Sequence, residues 1–512
     1  MRLVSFALLA LLAVACARPP ERVPVPTYVL TAEPRSLDPA LSTDVPTGEV
    51  SALLYETLVR YDLDGRAVPG LARRWDTSAD GRAYTFHLDP TARFHDLRPV
   101  RAADVEASFR RVLAPGAGGG RTWPLQPIDG ATAVLDSGAT VLRGVRVVDD
   151  STVRITLREP FPLFLKFLAM PVASIVPADP GRDFDVAPIG TGPWRFVRWQ
   201  HDDRLVFARF DGYRGIKATS DSFVIRIIPE PLTQAAEYES GRLHVVEVPV
   251  GETRIWEERR AAQLQRRVAI RAFYIALNTT RGPLADVRVR RALNHALPVD
   301  VILKNLQAGR GARAAGAIPP GLPGHDATRA PFAYDTARAR ALLMEAGYGS
   351  GLDLKLWRSP RAEYKKISAA IQQELGRAGI RIEIVERDPA SARAAARKGE
   401  ADLFLADWYA DYPDAENFLF PLFHSSNAGT GGNYAFLKDP SLDALLVQLR
   451  ATADSSEAAR LAQAADARVF AAAPWIFMWF PVDVWAMRPE MTGWRIPAVF
   501  TGQRWTDVRV AP

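Results

Sequence analysis

The chain of 512 residues is too long for one core, and with 48% hydrophobic and 24% charged residues it has the composition of a folded protein, excluding a disordered chain or a multi-span membrane protein. Its net charge of +6 comes from Lys and Arg interspersed with Asp and Glu, so no basic stripe marks a nucleic-acid surface and no nucleic-acid partner is expected. A single cysteine excludes an intramolecular disulfide, and no two of the seven histidines stand at i,i+4, so neither a metal nor a cofactor is expected.

The opening MRLVSFALLALLAVACARPP carries one cation at Arg2, an apolar run from Leu3 to Ala15, and then Cys16. The run is too short to span a bilayer and reads as an export signal. Small residues at Ala13 and Ala15, directly before the cysteine, resemble a bacterial lipobox. The expectation is a lipid anchor through Cys16, placing the protein in the periplasm or on the outer face of the cell membrane. Residues 17–26, rich in proline, read as an extended tether, so 1–26 is set apart from the folded body.

From 66 to 160 short strands dominate. Asp80-Gly81 is a turn, and the Tyr84, Phe86 and Leu88 that follow alternate with polar residues, the period of a half-buried strand. Val153, Ile155 and Leu157 repeat the pattern after a turn at 149–151. Between them RAADVEASFRRVL places Val105, Phe109, Val112 and Leu113 on one helical face. Strands resume at 188 with WRFVRW, RLVFARF and SFVIRIIPEP, as though the chain re-enters a sheet. Beyond about 270, strands FYIALN, LDLKLW, RIEIVE and ADLFLADW alternate with four helices, the rhythm of parallel βαβ units. WIFMWFPVDVWAM, near the end, reads as strand.

Enzyme signatures are missing: there is no Gly-x-Ser-x-Gly elbow and no phosphate-binding glycine loop, and the protein is expected not to be an enzyme. Chemistry concentrates instead in WYADYPDAEN, 408–417. Its acids do not reproduce the spacing of a calcium loop, and Asp414 and Glu416 read as solvated charges. Asp411, however, follows directly on the strand ADLFLADW, at the carboxyl end where open parallel sheets place ligands. LDLKLW delivers Arg358 and Arg361 from its own carboxyl end. If these strands are parallel neighbours, an anion and a cation share one edge, complementary to a zwitterion. The alternative for each arginine is an ordinary surface cation. Trp408 and Tyr409 are either core or the walls of a pocket.

These residues, with SLDPA, PGLARRWDTSADGRAYTFHL, ARFHD, PIGTGPWRFVRW, YDTARARALLMEAGY and IQQELGRAGIRIEI in this order, resemble the bacterial extracellular solute-binding proteins of family 5, the peptide receptors of ABC importers. The resemblance runs from about 28 to 500. It implies an α/β, two-lobed periplasmic-binding-protein fold (type II, the large three-domain cluster). A discontinuous lobe-1 domain would comprise 27–65, 188–270 and 486–512, with an inserted mixed α+β domain at 66–187. The ligand-binding lobe 2 would be 271–485, with the hinge where the chain crosses near 270 and 485. It further implies capture of a peptide between the lobes and delivery to the permease subunits of an ABC transporter in the cytoplasmic membrane, by a monomer. Nickel complexes, haem, glutathione or oligosaccharides are the alternative solutes.

By the same resemblance Asp411 meets the peptide amino group, and the backbone of Asp407, Trp408 and Tyr409 pairs with the extended ligand. The Val45-Pro46 loop pairs with it from the other lobe, and Arg358 or Arg361 receives the carboxylate. Leu97 stands where the family usually has glycine in a Phe-x-Asp-Gly turn, so a local backbone difference is expected there.

Overall fold

The computed structural model of the protein describes residues 25–116, 121–181 and 183–511; the segment expected as an export signal, with Cys16, lies outside them. Three larger sheets organise the chain. In the first, Thr27–Leu30 runs parallel to Ser222–Ile227, which continues antiparallel to Arg204–Arg209 and then Trp194–Gln200. The amino-terminal strand thus closes on strands nearly 200 residues later, which is the re-entry expected at 188.

The second sheet is antiparallel, in the order Ala72–Thr77, Ala83–Leu88, Thr152–Thr156 and Val145–Asp149. Tyr84, Phe86 and Leu88 are buried from one strand, Val153 and Ile155 from another, and Val105, Phe109, Val112 and Leu113 from the helix Ala102–Leu113. Period 2 meets period 3.6 across one core. At Leu97 the turn is left-handed: φ is 71°, and the Leu97 amide donates to the Phe94 carbonyl. The turn's hydrogen bond holds leucine in a left-handed conformation that costs about 1–2 kcal/mol.

The third sheet has eight strands. Its path is Val245–Glu247, Trp475–Met487, Arg271–Leu277, Leu403–Tyr409, Leu352–Arg358 and Ile380–Glu386, with Leu264–Val268 and Gly311–Arg313 also on the long Trp475–Met487 strand. Leu352–Arg358, the helix Ala362–Arg377 and Ile380–Glu386 form the expected βαβ unit, and Leu403–Tyr409 is parallel to the first of these strands. Alternate residues feed two cores. Phe273, Ile275, Leu277, Leu403 and Leu405 pack with Val289, Ile302 and Ile367, whereas Tyr274, Ala276, Phe404 and Ala406 pack with Phe418, Leu442 and Leu461. Covering both faces is what permits the near-continuous apolar runs of these strands. Each fully buried branched side chain contributes about 1.5–3 kcal/mol, so Ile367→Ala on the helix would cost about 2–5 kcal/mol.

The long strand changes partners at Pro481. Trp475–Trp479 pairs with Arg271–Leu277, and Val482–Met487 pairs with Leu264–Val268 and Val245–Glu247. One strand therefore belongs both to the region expected as lobe 2 and to the region expected as lobe 1. Among the described residues no helix is long and apolar enough to cross a membrane.

Candidate functional site

The strand Leu403–Tyr409 is paired unevenly. Along its whole length it runs antiparallel to Arg271–Leu277, but it meets Leu352–Arg358 only at Leu403 and Phe404. The Ala410 amide donates to the Ile270 carbonyl. Antiparallel alternation then turns the backbone groups of Ala406 and Trp408 toward that same partner and those of Asp407 and Tyr409 toward the other edge, where no strand of the described residues faces them. This open edge borders a cavity of about 700 Å³.

Asp411 stands just past the strand's end, with 22% of its side chain exposed. Its amide donates to Asn417 Oδ1 at 3.0 Å, and the Trp408 indole donates to the same oxygen at 3.1 Å. One asparagine thus fixes both residues. Arg121 Nη1 donates to the Asp411 carboxylate at 2.8 Å, and Nη2 of the same guanidinium donates to the Thr43 carbonyl at 3.2 Å. Burial raises the Asp411 carboxyl above its usual range, and Arg121 offsets part of that rise.

Asp407 is engaged differently. Tyr364 donates its hydroxyl to it at 2.7 Å, Arg271 stands at 2.9 Å and Arg361 at 3.5 Å. Burial acts to raise this carboxyl, but Arg271, then Arg361 and the Tyr364 hydroxyl, hold it below the usual range. Its side chain is committed to these partners while its backbone faces the open edge.

The arginine pair separates. Arg361, the N-cap residue of Ala362–Arg377, lines the cavity and is half exposed. Arg358 is not brought to the site. It is buried, donating to Ser368 Oγ at 2.9 Å and pairing with Glu386, because the strand's alternation puts it on the same face as Leu352, Leu354 and Leu356.

Val45 and Pro46 are the first turn of the helix Val45–Leu54 and not a loop. Asp44 accepts from the Thr47 amide and caps the helix, and Pro46 fits a first-turn position whose missing amide costs nothing. With no N–H, Pro46 cannot donate to a ligand. Val45 does reach a second, smaller cavity behind Tyr409.

The reading of Asp414 and Glu416 as solvated is also corrected. Asp414 pairs with Lys166. Glu416 is 1% exposed, receives the Tyr412 hydroxyl, and stands 3.1 Å from Arg450 Nε; burial, opposed by Arg450, pushes its carboxyl up to about 7.

Sequence reasoning missed most of the cavity's cations. Arg121, Arg393, Arg397 and Arg450 line it with Arg361, against the acids Asp407, Asp411 and Glu416. Arg393 and Arg397 lie four apart on the helix Pro389–Arg397, so their shared face was legible. Arg121 was not, since its partner lies 290 residues away.

An open strand edge beside a large cavity, with opposite charges fixed around it, is the build of a protein that holds a solute. The profile of the bacterial extracellular solute-binding proteins, family 5 Middle, matches residues 66–430. The chain is 29% identical over 493 residues to the dipeptide-binding protein of Escherichia coli K12, covering 91% of each chain. It is 31% identical over 475 residues to the glutathione-binding protein GsiB of Pectobacterium atrosepticum, covering 90% of this chain and 89% of that one. Among solved structures, the periplasmic binding protein DppA from Helicobacter pylori in complex with the peptide STSA superposes with a TM-score of 0.81 at 27% identity, covering 96% of this chain and 98% of that one. The protein belongs to family 5 of the bacterial extracellular solute-binding proteins, and its fold is the α/β, two-lobed periplasmic-binding-protein fold.

Proposed function

We propose that the protein is the peptide-binding component of an ABC importer, a receptor and not an enzyme. The observation that carries this reading is the open edge at Asp407 and Tyr409, ending at Asp411. An extended peptide offers that edge the same donors and acceptors whatever its sequence, and its amino group is the natural partner of a carboxylate at the strand's end. Arg361, Arg393 and Arg397 supply cations on the cavity wall for the peptide carboxylate. The relatives support this choice, since a dipeptide, glutathione and a tetrapeptide are the ligands in their names.

In this reading 27–65, 188–270 and 486–512 form lobe 1, 66–187 its inserted domain and 271–485 lobe 2. The bound form is handed to permease subunits by a monomer anchored through a lipid on Cys16.

The test is calorimetry of the purified protein with pooled di-, tri-, tetra- and pentapeptides, together with mass spectrometry of any solute it retains. Saturable binding of at least one pool is expected. A cooperatively melting protein that binds no pool, or that retains a non-peptide solute, would refute the reading.

A further inference from the structure

The second cavity, about 90 Å³, lies behind Tyr409 and shares that residue with the larger one. Its walls are aromatic. The ring centroids of Tyr28 and Trp485 are 5.9 Å apart, those of Tyr28 and Trp505 5.1 Å, and those of Tyr409 and Phe500 6.2 Å. Two carboxyl groups reach it from separate parts of the fold: Glu49 from the helix Val45–Leu54 and Asp483 from the long strand Trp475–Met487.

Among the described residues no Lys, Arg or His lines this cavity. The arginines acting on Asp483 are paired elsewhere: Arg271 with Asp407, Arg310 with Glu247, and Arg267 with Asp64. Burial accordingly pushes the Glu49 carboxyl up to about 8, against a hydrogen bond from Tyr28. It pushes Asp483 up to about 7, with Glu247 adding to the rise.

Two further features aim at a guest. Gln503 is 7% exposed and lines the cavity, and among the described residues its Nε2 has no hydrogen-bond partner. Its Oε1 accepts from the Trp505 amide at 3.0 Å, locking Trp505 at a φ of 60°, a left-handed backbone that bulky residues avoid. Such strain collects at functional sites. Here it holds an indole in the cage and leaves an amide donor pointing inward.

We propose that this cavity is a subsite for a cationic side chain of the ligand, a guanidinium or alkylammonium, caged by Tyr28, Trp485 and Trp505 and neutralised by Glu49 and Asp483. The cavity, about 90 Å³, has room for such a head group. Aromatic faces attract a cation, and its arrival favours the ionised forms of Glu49 and Asp483, whose protons leave to solvent; an apolar surround strengthens both attractions. The Gln503 amide then meets a carbonyl of the same ligand. A chain lying on the Asp407–Tyr409 edge passes Tyr409, the wall common to both cavities. The inference rests on the peptide reading and specifies which peptides are favoured.

The experiment is calorimetry on the unaltered protein with trialanine analogues carrying arginine, lysine, citrulline or norleucine at each position in turn. At one position arginine or lysine is expected to bind about tenfold tighter than citrulline and norleucine. In the isosteric double variant Glu49→Gln, Asp483→Asn, that preference should collapse to within about twofold. Equal affinities for arginine and citrulline at every position would overturn the proposal while leaving peptide binding intact. If no tripeptide binds, the pooled peptides still decide the peptide reading, and agmatine and butylammonium decide the cage alone. Binding of either that is lost in the double variant supports the subsite, and no binding of either overturns it.

Discussion

Replacing Asp411 by asparagine isolates the charge at the strand's end without changing its shape. In the wild-type protein the carboxylate is mostly buried and receives Arg121 at 2.8 Å. A ligand ammonium arriving there completes a group of two cations about one anion. Asparagine removes the anion and leaves the ammonium beside Arg121, which the Thr43 carbonyl still holds. Loss of a buried charge-assisted hydrogen bond costs about 2–5 kcal/mol. The uncompensated repulsion at roughly 5 Å, with an effective dielectric constant near 20, is on the order of 3 kcal/mol. These terms overlap, so the expected loss is about 3 kcal/mol, on the order of a hundredfold in Kd. An N-acetylated peptide carries no ammonium and should lose less than about threefold. Calorimetry with matched free and acetylated peptides reads both numbers. Equal losses would refute the assignment of Asp411 to the amino group, whatever their size.

Arg358→Met should lower stability by about 1–2 kcal/mol in urea unfolding, because it removes the buried donor to the Ser368 hydroxyl while Glu386, partly solvated, keeps Lys365 nearby, whereas Arg361→Met should leave stability within about 0.5 kcal/mol and weaken peptide binding. Weakened binding in Arg358→Met with no loss of stability would reverse the two roles. Leu97→Gly should raise the urea midpoint, since relief of the left-handed strain exceeds the added flexibility of the unfolded chain by about 0.5 kcal/mol; a lower midpoint would show that the strain is absent. The Glu416 carboxyl has its pKa pushed up to about 7, so the native state holds a proton there that the unfolded chain gives up near 4.5. Its contribution is complete below 4.5 and is lost as pH rises through 7. Thermal melts of Glu416→Gln should therefore lose less stability than wild type between pH 5 and 8, and parallel curves would contradict the shift.

Periodicity made much of the fold legible. Tyr84, Phe86 and Leu88 declared a strand, Val105 and Phe109 a helix, and the alternation after 270 a parallel unit whose strands do lie side by side. The position of Asp411 at a strand's carboxyl end followed from the same reasoning. The burial of Arg358 is legible too: counting by two from Leu352 places it on the same buried face as Leu354 and Leu356. The start of Val45–Leu54 was likewise signalled, by Asp44 as cap and Pro46 in the first turn. The Arg121 contact and the burial of Glu416 were beyond local patterns. The first depends on a partner 290 residues away, and the second on Tyr412 and Arg450 closing over a helix start that reads as polar.

The open edge of Leu403–Tyr409 has a consequence for the protein's behaviour among its own copies. Unpaired strand edges recruit other sheets, and proteins that leave them in solution court fibrous aggregation. Here the edge borders a cavity that Trp123, Phe167 and Arg121 also line. A neighbouring sheet arrives as a broad, stiff slab and cannot enter; a single extended strand can. The protein is therefore expected not to adhere to itself through this edge, however concentrated.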